Sequence, residues 1–140
     1  MAALLFNVAS LRENKTARRL SNLTTLIQNH REIWKDFATN PALGRIKERD
    51  VDLEREPVTR EELTFVRFVI AHLFGAYEAT RLNEVIGLEK LAQDAAQFLS
   101  YPIPNAVWNE IRDVQSQGFI TFAESAMTTN HKQSSTSHQC

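Results

Sequence analysis

From Thr16 to Phe37 a side-chain stripe returns every three or four residues: Thr16, Leu20, Leu23, Ile27, His30, Trp34 and Phe37. That spacing aligns them along one side of an α-helix and fits no strand. Leu26 and Ile33 widen the stripe on one edge. The pattern predicts one long helix over about residues 3–38. Asn40-Pro41 ends it, because the residue before a proline is pushed out of the α region. Only four Gly and four Pro are spread over 140 residues, too few for the tight turns of an all-β chain.

A second helix start is written at Thr59-Arg-Glu-Glu62. The threonine hydroxyl can cap the Glu62 amide while the carboxylate reaches back, a capping box. Beyond it, Phe65, Val66, Phe68, Val69, Ile70, Leu73, Phe74 and Tyr77 cover most of the helix circumference. A helix apolar on so many sides is expected at the centre of the fold. Ala71, Gly75 and Ala79 make a small-residue stripe. Mid-helix glycine costs about 1 kcal/mol relative to alanine, so the stripe predicts a close neighbouring helix. Gly87 is expected to end this helix or mark a bend.

A third helix is predicted over about 88–99, with Leu88, Leu91, Ala92, Ala95, Phe98 and Leu99 inward, and Tyr101-Pro-Ile-Pro104 stops it. Proline suits the first turn of a fourth helix, which should bury Val107, Trp108, Ile111 and Val114 and end near Gly118. Phe119, Ile120, Phe122, Ala123 and Met127 read as a short last helix. The result is an all-α, single-domain irregular bundle of about five helices with a long N-terminal helix. Its parts are a long helix over 1–38, an acidic connector over 39–58, a helical body over 59–127 and a tail over 128–140. The tail, TTNHKQSSTSHQC, lacks apolar content and is expected to be disordered.

The connector raises a metal question. Asp50, Asp52, Glu54 and Glu56 alternate, and Glu61 is twelfth counting from Asp50. An EF-hand loop also needs glycine at its sixth position, and here that position is Arg55. No entering helix is evident either, so the stretch reads as a solvated connector that runs into a helix cap. His30 and His72 sit on predicted helices without Glu-x-x-His or His-x-x-x-His spacing, the arrangements that would pair ligands on a helix. Each reads as a core or interface histidine, with proton sensing as the functional alternative. No metal site and no cofactor are expected.

Phosphate-binding glycine loops and the Gly-x-Ser-x-Gly nucleophile elbow are absent, and no catalytic residue is assigned. The one cysteine, Cys140, is the last residue. It has no partner for an intramolecular disulfide, and a reducing compartment is the default. Net charge is −1, which predicts no strong global pull on nucleic acid. The distribution is uneven: residues 1–31 carry Arg12, Lys15, Arg18, Arg19 and Arg31 against Glu13 alone, and the acidic excess follows. Lys15, Arg18 and Arg19 lack the interleaved aromatics of a nucleic-acid surface; they read as a solvated or membrane-facing patch.

Ahead of that patch, Met1 to Ala9 is apolar apart from Asn7. A secretory signal would place its basic residues before the apolar run; here they follow it. Two readings stand: first helical turns that pack on the body, or the last half of a membrane helix that starts upstream of Met1. Basic residues just after an apolar segment are what the positive-inside bias places on the cytoplasmic side.

Arg31-Glu-Ile-Trp34-Lys-Asp-Phe37, Asn40-Pro41-Ala-Leu43, Asp52-Leu-Glu-Arg-Glu-Pro57-Val-Thr-Arg-Glu-Glu62, Phe68-Val-Ile-Ala-His72-Leu and Pro102-Ile-Pro104-Asn-Ala-Val-Trp108 together resemble a group of small bacterial proteins without an established activity. The resemblance covers about residues 10–125. It implies an N-terminal membrane helix, a basic segment and an all-helical cytoplasmic body; the chain departs from it in carrying only about half a membrane helix. The functional expectation is a non-enzymatic, membrane-proximal helical interaction module, at the inner face of the membrane. Trp34 and Phe37 would serve packing, and the stretch from Leu20 to Phe37 is long enough for a modest homodimer contact. The alternative is a soluble ligand-binding or catalytic protein with a pocket near His72, Tyr77 and Trp108.

Overall fold

The computed structural model describes the backbone of residues 2–83 and 87–136 and the side chains of residues 12–82, 87–132 and 135. The fold is all-α, with no strand among the described residues. Five α-helices follow in order: α1 (Ala2–Thr39), α2 (Arg60–Asn83), α3 (Leu88–Leu99), α4 (Pro102–Ile111) and α5 (Gln117–Thr136). Two short 3-10 helices, Pro41–Lys47 and Arg112–Val114, complete the set.

The helix boundaries follow the local chemistry. Asn40 leaves the helical region at φ −108, ψ 102, and its side chain accepts a hydrogen bond from the Ala42 amide, so α1 ends at Thr39, two residues before Pro41. At the start of α2 the capping box is formed both ways: the Glu62 amide donates to Thr59 Oγ1 at 3.2 Å, and the Thr59 amide donates to Glu62 Oε2 at 2.9 Å. Gly87 is the N-cap of α3. Tyr101 is extended, and Pro102 opens α4.

The core is built around α2. Val66, Ile70, Leu73 and Ala76 meet Leu43 and Ile46 of the first 3-10 helix, Leu91, Ala95 and Leu99 of α3, Ile103, Val107 and Trp108 of α4, and Phe119, Ile120 and Ala123 of α5. Trp108 and Phe119 are each 1% exposed and are the two largest fully buried side chains. Their rings meet edge to face, 5.7 Å between centroids, the geometry the ring quadrupoles favour.

α1 lies against α2 over part of its length only. Leu23, Leu26, Ile33 and Phe37 are half-buried, whereas every residue from Arg12 to Asn22 is exposed. The expected stripe is therefore split. Its widening edge, Leu26 and Ile33, faces the body together with Phe37, while Leu20 is 61% and Ile27 51% exposed. The packing of Met1 to Ala9 concerns side chains outside the described residues. Among the described residues no helix is long and apolar enough to cross a membrane.

Several expectations need correction. α4 ends at Ile111 rather than near Gly118, because Arg112–Val114 tightens into a 3-10 turn and Gln115 turns extended. Val114, expected inward, is consequently 84% exposed, and Leu88 is 47% exposed at the first turn of α3. Phe68 faces away from the core at 65% exposure. Gly118 does not terminate a helix; it lies in the first turn of α5. Residues 128–136, expected to be disordered, continue that helix. Thr128 and Thr129 donate their hydroxyls to the carbonyls of Glu124 and Ser125, so polar side chains satisfy themselves on the helix. Residues 137–140, Cys140 included, lie outside the described residues. Gly75 has no close neighbour either: a Cβ there would meet nothing within 4 Å.

Candidate functional site

α1 and α2 cross with their aromatic residues in register. Phe37 meets Phe65 with 5.9 Å between ring centroids, and His30 meets His72 at 5.7 Å. The C-terminal half of α1 thus accompanies the N-terminal half of α2, so the two helices run antiparallel. On one side of this contact an open groove of about 600 Å3 runs between them. Leu26, Ile33, Phe65 and Phe68 form its apolar walls, Ala71 and Gly75 its floor, and Asn29, Glu32 and Asp36 its rim. The floor is low because small residues stand where α1 diverges, and this is what the stripe of Ala71 and Gly75 provides.

His72 lines the same groove, and its Nδ1 is buried without a hydrogen-bond partner. Burial lowers the His72 pKa, and the nearby His30 ring lowers it further. Both effects disfavour the charged imidazolium. His72 is therefore a partly desolvated histidine at the α1–α2 contact.

Trp34 flanks the same contact, next to Phe37. Their rings meet edge to face at 5.8 Å. The Lys47 ammonium sits 3.9 Å from the Trp34 ring centroid and 5.4 Å from that of Phe37, within cation–π range. Trp34 retains 39% exposure. This cluster joins α1 to the 3-10 helix that follows it.

The residues expected to line one pocket are divided. Tyr77 packs on Phe119 and Phe122, with centroids at 5.7 and 4.9 Å. Trp108 packs on the same Phe119 from α4. Tyr77 and Trp108 thus share a core partner, while His72 lies apart, facing α1. A second open groove, about 1150 Å3, lies along the packed α3–α5 pair and is lined in part by Arg49, Asn105 and His131.

The most ordered polar cluster lies elsewhere and was legible only in part. Arg45 donates from Nε and Nη2 to the two oxygens of Glu62, both at 2.9 Å, from Nη1 to the Glu56 carboxylate at 3.0 Å, and to the carbonyls of Glu56 and Pro57. Glu62 is buried to 1% exposure. Burial alone would raise its pKa, but the hydrogen bonds from Arg45 and Thr59 prevail and hold it below the usual carboxylate range. Thr59-Arg-Glu-Glu62 announced the cap; nothing in the spacing announced Arg45. The three Arg45 nitrogens and both Glu62 oxygens are engaged within the chain, so the cluster serves the fold. In the connector, Asp52 Oδ1 accepts the amides of Glu54 and Arg55, a local turn. Among the described residues no group of three or more His, Cys, Asp or Glu is placed to hold a metal ion. The chain matches no family model, no curated protein and no solved structure.

Proposed function

We propose that this chain is a non-enzymatic, membrane-proximal helical interaction module. The observation that carries the reading is α1 itself: a single helix of 38 residues whose residues 12–22 are exposed throughout. Isolated helical stretches gain little in water, and most helical stability comes from packing an amphipathic face. A helix that extends this far past its own body is an element with work to do against something else. The charge order supports the location. An apolar run precedes Arg12, Lys15, Arg18 and Arg19, the arrangement that puts the basic segment on the cytoplasmic side of a membrane. The resemblance of residues 10–125 to membrane-anchored helical proteins of bacteria points the same way.

The test is flotation on vesicles containing anionic lipid, with the intact chain beside a version lacking residues 1–11. The reading expects the intact chain to float and the shortened chain to stay at the bottom. If neither floats, the membrane-proximal placement is wrong.

A further inference from the structure

We propose that the groove between α1 and α2 receives α1 of a second copy of this chain, laid antiparallel, with Lys15 and Arg18 of each copy against Asp36 and Glu32 of the other. The proposal deepens the interaction-module reading and rests on α1 being its working element. The argument starts from the exposed face of α1 above the groove. Lys15, Asn22, Asn29 and Asp36 recur every seven residues, with Arg18, Thr25 and Glu32 between them. All seven are exposed. Positions so spaced fall on one face of a helix, so the seven side chains form a single polar strip along α1.

Charge on that face is segregated. Its N-terminal half carries Lys15 and Arg18, its C-terminal half Glu32 and Asp36, and the middle is neutral. No ion pair is formed by any of these four among the described residues. Glu32 and Asp36 are like charges at i, i+4, which weakens a helix unless a cation lies near. Both rim the groove, which has no lysine or arginine in its lining. A parallel pairing would align like with like. An antiparallel one aligns opposites, because the pairs Lys15–Asp36 and Arg18–Glu32 are centred within half a residue of each other, the first between Thr25 and Leu26 and the second on Thr25. Such a pair is closed by a two-fold axis, the commonest symmetry of soluble oligomers.

The groove also explains the exposed Phe68. The incoming basic half would lie beside it, and the long stems of lysine and arginine cover apolar surface while their heads stay polar. The low floor at Ala71 and Gly75 gives the second helix room. The two N-termini then point to opposite ends, so both apolar runs meet one membrane only when the paired helices lie along its surface.

The experiment is sedimentation equilibrium of the full chain over a concentration series, with three charge variants. The wild type is expected to dimerise, and raised salt should weaken the dimer. Lys15→Glu with Arg18→Glu should weaken the dimer at least tenfold, and so should Glu32→Lys with Asp36→Lys. Mixing those two variants, or combining all four changes in one chain, should restore dimers. A Thr25→Cys substitution in a Cys140→Ser background should cross-link across the two-fold on oxidation. A wild type that stays monomeric overturns the proposal, as does a dimer indifferent to all four charges. Either failure leaves the flotation result untouched, so the two readings fall separately.

Discussion

Arg45 and Glu62 lie seventeen residues apart in sequence and meet in a two-pronged ion pair, with both N–O distances at 2.9 Å. The same guanidinium holds the Glu56 and Pro57 carbonyls, so one side chain binds the end of the connector to the start of α2. The Glu62 carboxylate meanwhile accepts the Thr59 amide, the return half of the capping box. Removing the carboxylate leaves the Thr59 amide without its acceptor and the guanidinium without its main partner, while the Thr59 hydroxyl still caps the residue 62 amide. Glu62→Ala should therefore cost about 2–3 kcal/mol, more than a cap alone, measured by urea denaturation. A loss below about 1 kcal/mol would mean that the cluster is ornamental.

Glu62 also sets an acid limit. Its folded pKa is lowered from 4.5, so its contribution is fully present above that value and is lost as pH falls through the lower folded pKa. Wild-type stability should drop on that limb, and Glu62→Gln should flatten it. Equal acid slopes in the two proteins would refute the assignment.

His72 acts at milder pH with the same sign. Its folded pKa is lowered from 6.5 by burial first and by His30 second. The folded state thus resists protonation, and stability declines as pH falls below 6.5 until the folded pKa is passed. His72→Leu should remove that decline, and the native α1–α2 contact should loosen between neutral pH and pH 5 only in the wild type. Hydrogen exchange of α1 amides at the two pH values reads this directly.

Gly118 is a glycine for a contact reason. A Cβ there would lie 3.0 Å from the Tyr77 hydroxyl, and the Tyr77 ring is held by Phe119 and Phe122. Gly→Ala at a compatible helical site usually stabilises by about 0.4–1 kcal/mol. Gly118→Ala should miss that gain in the wild type and recover it in a Tyr77→Phe background, a coupling of about 1 kcal/mol. Thermal melts of the four proteins form the cycle, and additive effects would show that the hydroxyl is not the obstacle.

Much of the architecture could be read from local signals because those signals are strong. Asn40-Pro41, Thr59-Arg-Glu-Glu62 and Pro102 each fix a helix end by backbone chemistry that needs no tertiary partner. What failed depends on which neighbour is present. The stripe of Leu20, Ile27 and Trp34 has correct helical spacing, yet α2 covers the adjacent edge of Leu26, Ile33 and Phe37. Phe68 and Val114 are apolar at helical spacing and still face outward: Val114 because α4 stops before it, a boundary periodicity does not mark, and Phe68 because it stands at the open groove beside α1. His72, Tyr77 and Trp108 were grouped as chemistry-bearing residues, but Tyr77 and Trp108 meet only through Phe119, which the sequence marked as part of a last helix and not as their partner.

Gly75 offers the sharpest check of the groove. Its small size suggested a helix packed close against it, yet a Cβ there meets open space. Within one chain the glycine therefore has no steric purpose, and alanine should stabilise α2 by about 1 kcal/mol through helix propensity. That gain is expected in the monomeric Glu32→Lys, Asp36→Lys background, where nothing occupies the groove. A larger residue separates the two states: Gly75→Leu should leave the monomer folded, because there is room for it, and should weaken the dimer, because its side chain stands where the second helix lies. Equilibrium unfolding reads the first effect and sedimentation the second. Loss of monomer stability with Gly75→Ala would mean that the floor of the groove is already filled from within the chain.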